Sequence, residues 1–332
     1  MPSTDQRRLL SRRQLLVAGG SCVGVGALSG FAYGSNFWRD DDCNPTPLDV
    51  SPTDWPLPNY DGANTRTVPS ESAPLSGLTE RWSVDVQHPG QPIVLNGSVL
   101  VGGIRSPDFI RSYGLYTGEE QWMKRITSGY RLSLVAGGDS LFLRDAREDG
   151  ERVSRAVATA DGSDRWTSSV SGDHVVPLLE AGLLAFYDSP DLIGVDAHTG
   201  ETDWVTPETH PEIVGNTAPP ELEPIAVSND SLLVIESDGT DRSDSLRAVD
   251  PTTGSEQWVF DPEEAVDFRI HSAAVAGETV FLPVVDELIL IDLASGAVLE
   301  RHDCDDRVQS VTLAGGICLV ATAEGIVAFE AA

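Results

Sequence analysis

The fold is decided by Val195-Asp196-Ala197-His198-Thr199-Gly200-Glu201-Thr202-Asp203-Trp204, a pattern that returns in Val249-Asp250-Pro251-Thr252-Thr253-Gly254-Ser255-Glu256-Gln257-Trp258. In both stretches a glycine follows an aspartate by four residues and precedes a tryptophan by four. The glycine–tryptophan pairs along the chain are Gly118/Trp122, Gly162/Trp166, Gly200/Trp204 and Gly254/Trp258. A further copy runs to Gly296 and has Glu300 where the tryptophan would stand. Successive glycines are 44, 38, 54 and 42 residues apart, which is the size of one four-stranded blade of a β-propeller.

The repeated residues have distinct roles in a tight turn between two strands. Glycine takes a positive φ without a Cβ clash, so the glycine of each copy allows the chain to reverse. The acids of the clearest copies, which can accept hydrogen bonds from backbone N–H groups of the turn, are Asp196, Asp250 and Asp292. The tryptophan supplies an apolar plate that packs between neighbouring blades while its N–H finds a partner. Five of the seven tryptophans stand at such positions: Trp82, Trp122, Trp166, Trp204 and Trp258. We therefore expect structural rather than ligand-binding roles for them.

The whole chain after residue 75 divides into such units. Turns such as Asn96-Gly97 separate short β-rich runs, and no 12-residue stretch there carries a helical period. Trp82 lies in a strand that no other strand precedes, and residues 306–332 supply three strands, so the N-terminal strand is expected to complete the last blade. The six predicted blades are 88–126, 130–170, 174–207, 222–261, 268–302, and 306–332 completed by 77–86. Extra sequence at 206–221 leaves a seventh blade open, although its four prolines favour a loop.

Charge and cysteine content exclude several classes of protein. Acidic residues outnumber basic ones 52 to 22, the net charge is −30, and Lys124 is the single lysine. Such a chain lacks the cationic surface with which proteins bind nucleic acid. Four cysteines in 332 residues exclude a disulfide-dense scaffold. An acidic surface almost free of lysine resembles proteins of extreme halophiles, in which molar salt screens the repulsion between carboxylates.

The first 34 residues have the layout of an export signal. Arg12 and Arg13 directly precede a long uncharged stretch that ends in small residues. The paired arginines match a twin-arginine signal, which predicts export to the cell surface or the extracellular space. Residues 14–34 are also long enough to be retained as a membrane anchor. Lipidation at Cys22 is a further alternative that a poor lipobox disfavours.

The segment between this signal and the repeats has a different composition. Residues 35–74 are rich in proline and contain three consecutive aspartates, which predicts an extended linker rather than a folded unit. The predicted organisation is therefore a signal or anchor at 1–34, a linker at 35–74 and a β-propeller at 75–332.

The Asp-x-x-Thr-Gly-x-x-x-Trp pattern resembles the pyrroloquinoline-quinone-type (PQQ-like) propeller repeat. The resemblance covers about 255 residues, from 77 to the end. Trp55-Pro56, Asp61, Asn64-Thr65 and Pro69 resemble the lead-in that precedes such propellers in exported proteins. The chain thus looks like an exported, haloarchaeal-type member of this family, and in repeat type it is similar to the propeller lipoprotein of bacterial outer-membrane barrel assembly. The resemblance implies an all-β fold, whereas many members share the blade without the quinone.

Two alternatives involve chemistry. The first, which the resemblance implies, is a quinone- and calcium-dependent dehydrogenase. Such enzymes of this family have adjacent cysteines beside the cofactor, a calcium site and a catalytic aspartate. The four cysteines here are not adjacent to one another, so neither pyrroloquinoline quinone nor calcium is predicted. Acidic runs at 145–151 and 238–244 raise the second alternative, a propeller that senses a metal or a small molecule. Neither run has the alternating ligands of an EF-hand loop, and no catalytic or cofactor-binding residue is nominated.

The sequence therefore predicts an exported, non-catalytic β-propeller that acts as a binding or scaffold module at the cell envelope. Its partners are expected to be envelope or extracellular proteins that contact one face of the ring, where the loops of all blades converge. The pairing of the cysteines and the cleavage of the N-terminal segment are left open.

Overall fold

Short antiparallel strands joined by tight turns account for nearly all the regular structure. The computed structural model describes residues 51, 53–61, 65–103, 109–127, 134–147, 150–170, 174–178, 182–188, 191–206, 222–227, 231–237, 244–250, 253, 255–261 and 273–332. These residues contain twenty-five strands and one short 3₁₀ helix, Ser70–Ser72. The all-β class predicted from the sequence is confirmed.

The strands are numbered in chain order. They are β1 (Thr67–Val68), β2 (Leu78–Asp85), β3 (Ile93–Leu95), β4 (Ser98–Gly102), β5 (Phe109–Gly114), β6 (Glu120–Arg125), β7 (Val135–Gly137), β8 (Ser140–Ala146), β9 (Arg152–Ala158), β10 (Asp164–Ser168), β11 (His174–Leu178), β12 (Leu183–Asp188), β13 (Asp191–Asp196), β14 (Thr202–Thr206), β15 (Leu222–Val227), β16 (Leu232–Ser237), β17 (Asp244–Val249), β18 (Glu256–Phe260), β19 (Ala274–Ala276), β20 (Thr279–Val284), β21 (Glu287–Asp292), β22 (Val298–Asp303), β23 (Val308–Ala314), β24 (Ile317–Thr322) and β25 (Gly325–Ala331).

The strands form six sheets. Four sheets use consecutive strands, namely β3–β6, β7–β10, β11–β14 and β15–β18, and a fifth, β19–β22, carries β1 as an extra parallel strand beside β19. The sixth combines β23–β25 with β2, so both ends of the repeat region share one sheet. This pairing was predicted for the Trp82 strand, and it runs antiparallel from Leu78↔Ala331 to Asp85↔Gly325. Apart from β1, the strands of each sheet lie, to within one residue, inside one predicted interval, whereas 207–221, where a loop is predicted, lies outside the described residues.

Every sheet carries a β-bulge at the same place in its outermost strand. The residue just before the repeat tryptophan, or before Glu300, has no partner in the neighbouring strand. These bulged residues are Arg81, Gln121, Arg165, Asp203, Gln257 and Leu299. A bulge turns the following side chain toward a new direction. Here it sets the direction of the residue that reaches the next sheet.

The antiparallel order gives the molecule two different faces. In the first five sheets the turn between the first two strands, such as Asn96-Gly97, lies at the same end as the turn between the last two, such as 115–119. In the sixth sheet the turn between β23 and β24 lies at the same end as the corner where β25 ends and β2 begins. We call this end the turn face. The opposite ends of the strands form the loop face, where β24 leads into β25 through Ala323 and Glu324. Connections between successive sheets also leave from the loop face.

The first strands of four neighbouring sheets lie side by side. β23 lies beside both β19 and β3, and β3 lies beside β7. Thr312 in β23 donates its hydroxyl hydrogen to the Pro92 carbonyl at 2.7 Å, which joins the sixth sheet to the first. The second strands β20 and β24 are buried at every position. Their aliphatic side chains fill the core between sheets, where burial stabilises each by about 1.5–3 kcal/mol.

The second half of the segment predicted as a linker, 35–74, is packed against the sheets. Residues 53–61 and 65–73, called here the N-terminal strap, lie against the sheets. Trp55 is fully buried and exchanges two backbone hydrogen bonds with Val94, both at 2.8 Å. The Pro56 carbonyl accepts a hydrogen bond from Ala136 N at 2.9 Å. The apolar side chains of Trp55 and Leu57, which lie beside prolines of this segment, are buried instead of solvated.

The other end of the strap reaches the fifth and sixth sheets. Val275 N donates to the Arg66 carbonyl at 2.9 Å, and Gly277 N donates to the Val68 carbonyl at 3.1 Å. A Cβ on Gly277 would lie 2.9 Å from Ser70 Cβ, so the strap passes directly over this turn. The strap therefore crosses the turn face, from the first and second sheets to the fifth.

Residues 1–50 lie outside the described residues, and with them the arginine pair, the predicted anchor 14–34, Cys22 and Cys43. Within the described part of the chain, no helix has the length and apolar character needed to cross a bilayer. Cys304 and Cys318, the cysteines of that part, are free thiols, and Cys318 is buried.

Candidate functional site

The repeat tryptophans lie at the joints between neighbouring sheets. Each indole covers the turn glycine of the following sheet, so closely that an added Cβ would lie 2.6–2.8 Å from an indole carbon. The four pairs are Trp82 with Gly118, Trp122 with Gly162, Trp166 with Gly200, and Trp258 with Gly296. These glycines have φ between +65° and +74°, where a side chain is strained as well. Glycine is therefore required at these turns for conformation and for contact.

The same indoles form a hydrogen bond across each joint. In all four pairs the indole Nε1–H donates to the carbonyl three residues before the glycine, at 2.8–2.9 Å. The acceptors are Leu115, Thr159, Ala197 and Leu293. Trp82 and Trp258 are 8% exposed, so their N–H groups depend on this protein partner.

Trp204 occupies the same repeat position in the third sheet. Its indole covers Gly194 of the neighbouring strand in its own sheet. Gly254, its repeat partner in the next sheet, lies outside the described residues together with Pro251 and Thr252. The indole N–H of Trp204 has no partner among the residues that the structure describes.

A small residue opposite each tryptophan is part of the joint, and the sequence analysis missed it. The residues directly paired with the tryptophans in the adjacent strand are Ser112, Ala156, Gly194, Ala248 and Ala328. Opposite Glu300, where no indole needs room, the paired residue is Leu290. In four copies the small residue stands six positions before the turn glycine, and in the fifth copy Leu290 has that place, so a fixed spacing in the sequence was the signal that could have found it.

The predicted turn acids lie beside these joints. Asp196, Asp250 and Asp292 each direct Oδ1 to the backbone of their own turn. The N–H donors three residues on, each at 2.8 Å, are those of Thr199, Thr253 and Ser295. Hydrogen bonds from the Ser295 side chain and backbone lower the pKa of Asp292. At Asp196 and Asp292 the carboxylate orders a turn whose glycine the preceding indole covers.

The single lysine also crosses a joint. Lys124, two residues after Trp122, donates to the Gly162 carbonyl at 3.0 Å and lies 3.1 Å from the Asp164 carboxylate of the next sheet. Burial acts to raise the pKa of Asp164, but hydrogen bonds and charge from Arg155 and Lys124 leave that pKa below its ordinary value. The joint between the first and second sheets is therefore electrostatic as well as apolar.

The strap is held by a buried carboxylate. Asp54 is 3% exposed, and it accepts hydrogen bonds from Ser51 N at 3.1 Å and Asn96 N at 3.0 Å. Burial raises the pKa of this carboxyl, and the two backbone hydrogen bonds act in the opposite direction. Asp54 thus ties the strap to the first hairpin turn of the first sheet.

The acidic run at 145–151 has protein partners. Asp145 is 4% exposed, accepts hydrogen bonds from Thr127 N at 2.7 Å and Ala146 N at 2.8 Å, and lies 3.1 Å from Arg155 Nε. Glu151 pairs with Arg147 at 2.7 Å. The second acidic run is described only at Asp244, the first residue of β17. Because arginine and backbone donors occupy these oxygens, the described part of the run does not offer an open ligand set to a cation.

The part of the chain that the structure describes contains no adjacent cysteine pair of the kind that the dehydrogenase alternative implies. Cys304 directly follows β22 and Cys318 lies in β24, and both are free thiols. No group of three histidine, cysteine, aspartate or glutamate side chains in the described ranges could hold a metal ion. Burial and the carboxylates of Asp286, Asp303 and Asp305 raise the pKa of Cys304 to about 11, so this thiol is poorly suited to redox chemistry.

Comparison with known proteins gives one family and several distant structures. The model of a family described as outer membrane protein assembly factor BamB matches residues 108–240 and 242–332. BamB from Moraxella catarrhalis is 13% identical, with 77% of this chain and 92% of that chain covered and a TM-score of 0.40. A quinohemoprotein alcohol dehydrogenase from Comamonas testosteroni is 11% identical, with 83% and 80% covered and a TM-score of 0.45. A search of curated proteins finds no match.

Proposed function

The chain belongs to the family described as outer membrane protein assembly factor BamB, whose members carry the PQQ-like repeat, and we propose that it is a non-catalytic binding module for the assembly of proteins at the cell envelope. The family match over 108–240 and 242–332 is the observation that carries this proposal. The joints support a non-catalytic role, because the indole N–H groups of Trp82, Trp122, Trp166 and Trp258 bond to carbonyls of the neighbouring sheet and are not directed to a ligand. No cofactor is part of the proposal.

The proposed architecture is a closed ring of six blades at 75–332. The position of β23 beside β19 and β3, and the sharing of the sixth sheet by β2 and β25, support closure. A ring of this kind leaves no long unpaired sheet edge at the seam. We propose that a halophilic cell exports the chain, with 1–34 as signal or anchor and 35–50 as the remaining linker.

We propose that partners bind the loop face. The strap covers part of the turn face, whereas no described segment of this kind covers the loop face, so the loop face leaves more surface open to a partner. On the loop face the exposed carboxylates include Asp286 and Glu324, in the connections β20–β21 and β24–β25. Loops on a rigid scaffold are the usual carriers of binding function.

The first experiment tests the export signal. The variant Arg12→Lys/Arg13→Lys is expected to leave the protein in the cytoplasm, whereas the control Arg7→Lys/Arg8→Lys, with the same chemical change, is expected to be exported. Immunoblotting of cell fractions measures the distribution. Export of both variants would contradict a twin-arginine signal.

The second experiment tests the binding role. Deletion of the gene in its own host is expected to lower the amounts of a defined set of envelope proteins, measured by quantitative mass spectrometry of the envelope fraction. Re-expression of the Asp286→Arg/Glu324→Arg variant, on the loop face, is expected to restore them poorly. The control Glu71→Arg/Glu119→Arg makes the same charge change on the turn face and is expected to restore them.

Unchanged amounts of envelope proteins after deletion would contradict the proposed function. Equal restoration by both variants would contradict the proposal that partners bind the loop face.

The dehydrogenase alternative makes a different prediction. Titration of the purified protein with pyrroloquinoline quinone and calcium in molar salt would give a shifted quinone spectrum, followed by dye reduction with alcohols or sugars.

A further inference from the structure

The sixth sheet is the one place where a joint has no continuous turn. In the first to fifth sheets, the third and fourth strands are linked by the chain itself, and where the structure describes the turn glycine, the preceding indole covers it. In the sixth sheet the third strand, β25, ends at Ala331 and the fourth, β2, begins at Leu78. Ala332 N donates to the Gly77 carbonyl at 2.9 Å, so this corner is closed by a hydrogen bond instead of a peptide bond.

The fifth sheet meets this corner with a carboxylate. Glu300 stands at the repeat position of the tryptophan, and its Oε2 accepts a hydrogen bond from Gly77 N at 2.7 Å. Its Oε1 accepts one from Leu78 N at 3.2 Å. The two donors are separated from Glu300 by more than 220 residues along the chain. The carboxylate therefore holds the first residues of β2 from the neighbouring sheet.

We infer that Glu300 is a latch that holds the seam of the repeat region closed. At the other joints an indole covers a glycine inside a covalent turn, and the turn persists without the indole. At the seam the corner consists of a chain segment that can separate, and successive backbone N–H groups suit a carboxylate better than an apolar plate. Leu290, large where the other sheets have a small residue, fits this replacement because no indole has to lie against it.

β2 also has contacts that do not involve Glu300, including its pairing with β25 from Leu78 onward. Trp82 donates to the first sheet, and Arg81 Nε donates to the Tyr116 carbonyl at 2.6 Å. Arg81 also pairs with Glu330 of β25. Because none of these contacts includes Glu300, we expect them to stay in place when Glu300 is changed. Loss of the latch is therefore expected to loosen the start of β2 without unfolding the other sheets.

Hydrogen exchange of the full-length protein, followed by mass spectrometry, tests the inference. In Glu300→Gln the peptide containing residues 77–85 is expected to exchange at least about 10-fold faster than in the wild type, because charge-assisted hydrogen bonds are the strong ones. The control Glu201→Gln changes an exposed carboxylate beside a covalent turn and is expected to leave this peptide unchanged. Equal exchange in Glu300→Gln and the wild type would overturn the latch, and so would a uniform acceleration over all six sheets.

Two further variants separate a latch from general packing. Ser83 and Val327 are directly paired in β2 and β25, so Ser83→Cys/Val327→Cys allows a disulfide across the seam. When this disulfide is formed, Glu300→Gln is expected to accelerate the exchange of residues 77–85 much less. The same triple variant with the disulfide reduced is the control. The variant Glu300→Trp/Leu290→Ala recreates the usual indole and small-residue pair, and it is expected not to restore protection. Full protection by this variant would show that the position needs apolar packing alone, and would overturn the inference.

Discussion

A methyl group on Gly296 probes the joint between the fourth and fifth sheets. It would lie 2.7 Å from Cδ2 of Trp258 and 2.9 Å from Cε3 and Cγ, and the residue has a φ of +72°. The left-handed conformation costs a non-glycine residue about 1–2 kcal/mol. Overpacking against a buried indole adds about 1–3 kcal/mol. We therefore expect Gly296→Ala to lower the free energy of unfolding by about 3 kcal/mol.

Gly97 provides a matched control for conformation alone. Its φ is +73°, and a methyl group there would have no neighbour within 4 Å. Gly97→Ala is expected to cost about 1 kcal/mol, the conformational part. Urea unfolding followed by tryptophan fluorescence gives both values, and an unchanged m-value shows that the same surface is exposed. Equal losses in the two variants, within about 0.5 kcal/mol, would refute the reasoning that contact with the indole excludes a side chain.

A double-mutant cycle assigns the difference to the indole itself. In a Trp258→Leu background the methyl group of Gly296→Ala meets a smaller, more flexible side chain. The cost of the glycine substitution is then expected to fall to that of Gly97→Ala, so the two mutations at the joint are coupled by about 2 kcal/mol. Additive costs would place the strain elsewhere in the turn.

Three further predictions concern charge. Because burial raises the pKa of Asp54 above its ordinary 3.8, the folded protein holds this proton more tightly than the unfolded chain does. The stability that this group contributes therefore falls as pH rises through the folded pKa, and the stability of Asp54→Asn relative to the wild type should increase as the pH rises above 3.8 in paired unfolding curves. With its pKa at about 11 instead of 9.0, Cys304 should react with iodoacetamide at pH 8 about 100-fold more slowly than an ordinary thiol, and Asp303→Asn/Asp305→Asn should accelerate it, whereas buried Cys318 should react only after unfolding. Raising KCl from about 0.1 M to about 2 M should raise the melting temperature by about 5 °C or more by screening the net charge of −30, an effect that sucrose of equal osmolality should not reproduce.

The fold could be predicted from the sequence because its unit is local. A glycine and a tryptophan four residues apart indicate one turn and one strand, and this pair recurs in four copies at blade-sized intervals. The pairing of β2 with β25 is not local, but it followed from a strand missing at one end and a spare strand at the other. The strap could not be predicted in this way. Its proline content predicts an extended linker. Trp55, which belongs to no repeat unit, pairs with Val94, 39 residues away, and no local pattern indicates this contact.

Glu300 shows which contacts can be predicted from the repeat and which cannot. The sequence shows an exception at this position, but the reason for the exception is a pair of N–H groups at the other end of the chain. The same logic applies to function. Residues that recur in every copy are those that every joint needs, and here their polar groups bind neighbouring sheets or their own turns. Residues that distinguish this protein from others with the same fold must therefore lie where the copies differ. Such residues include those in the connections of the loop face, which is why the proposed partner surface is placed there and not on the tryptophans.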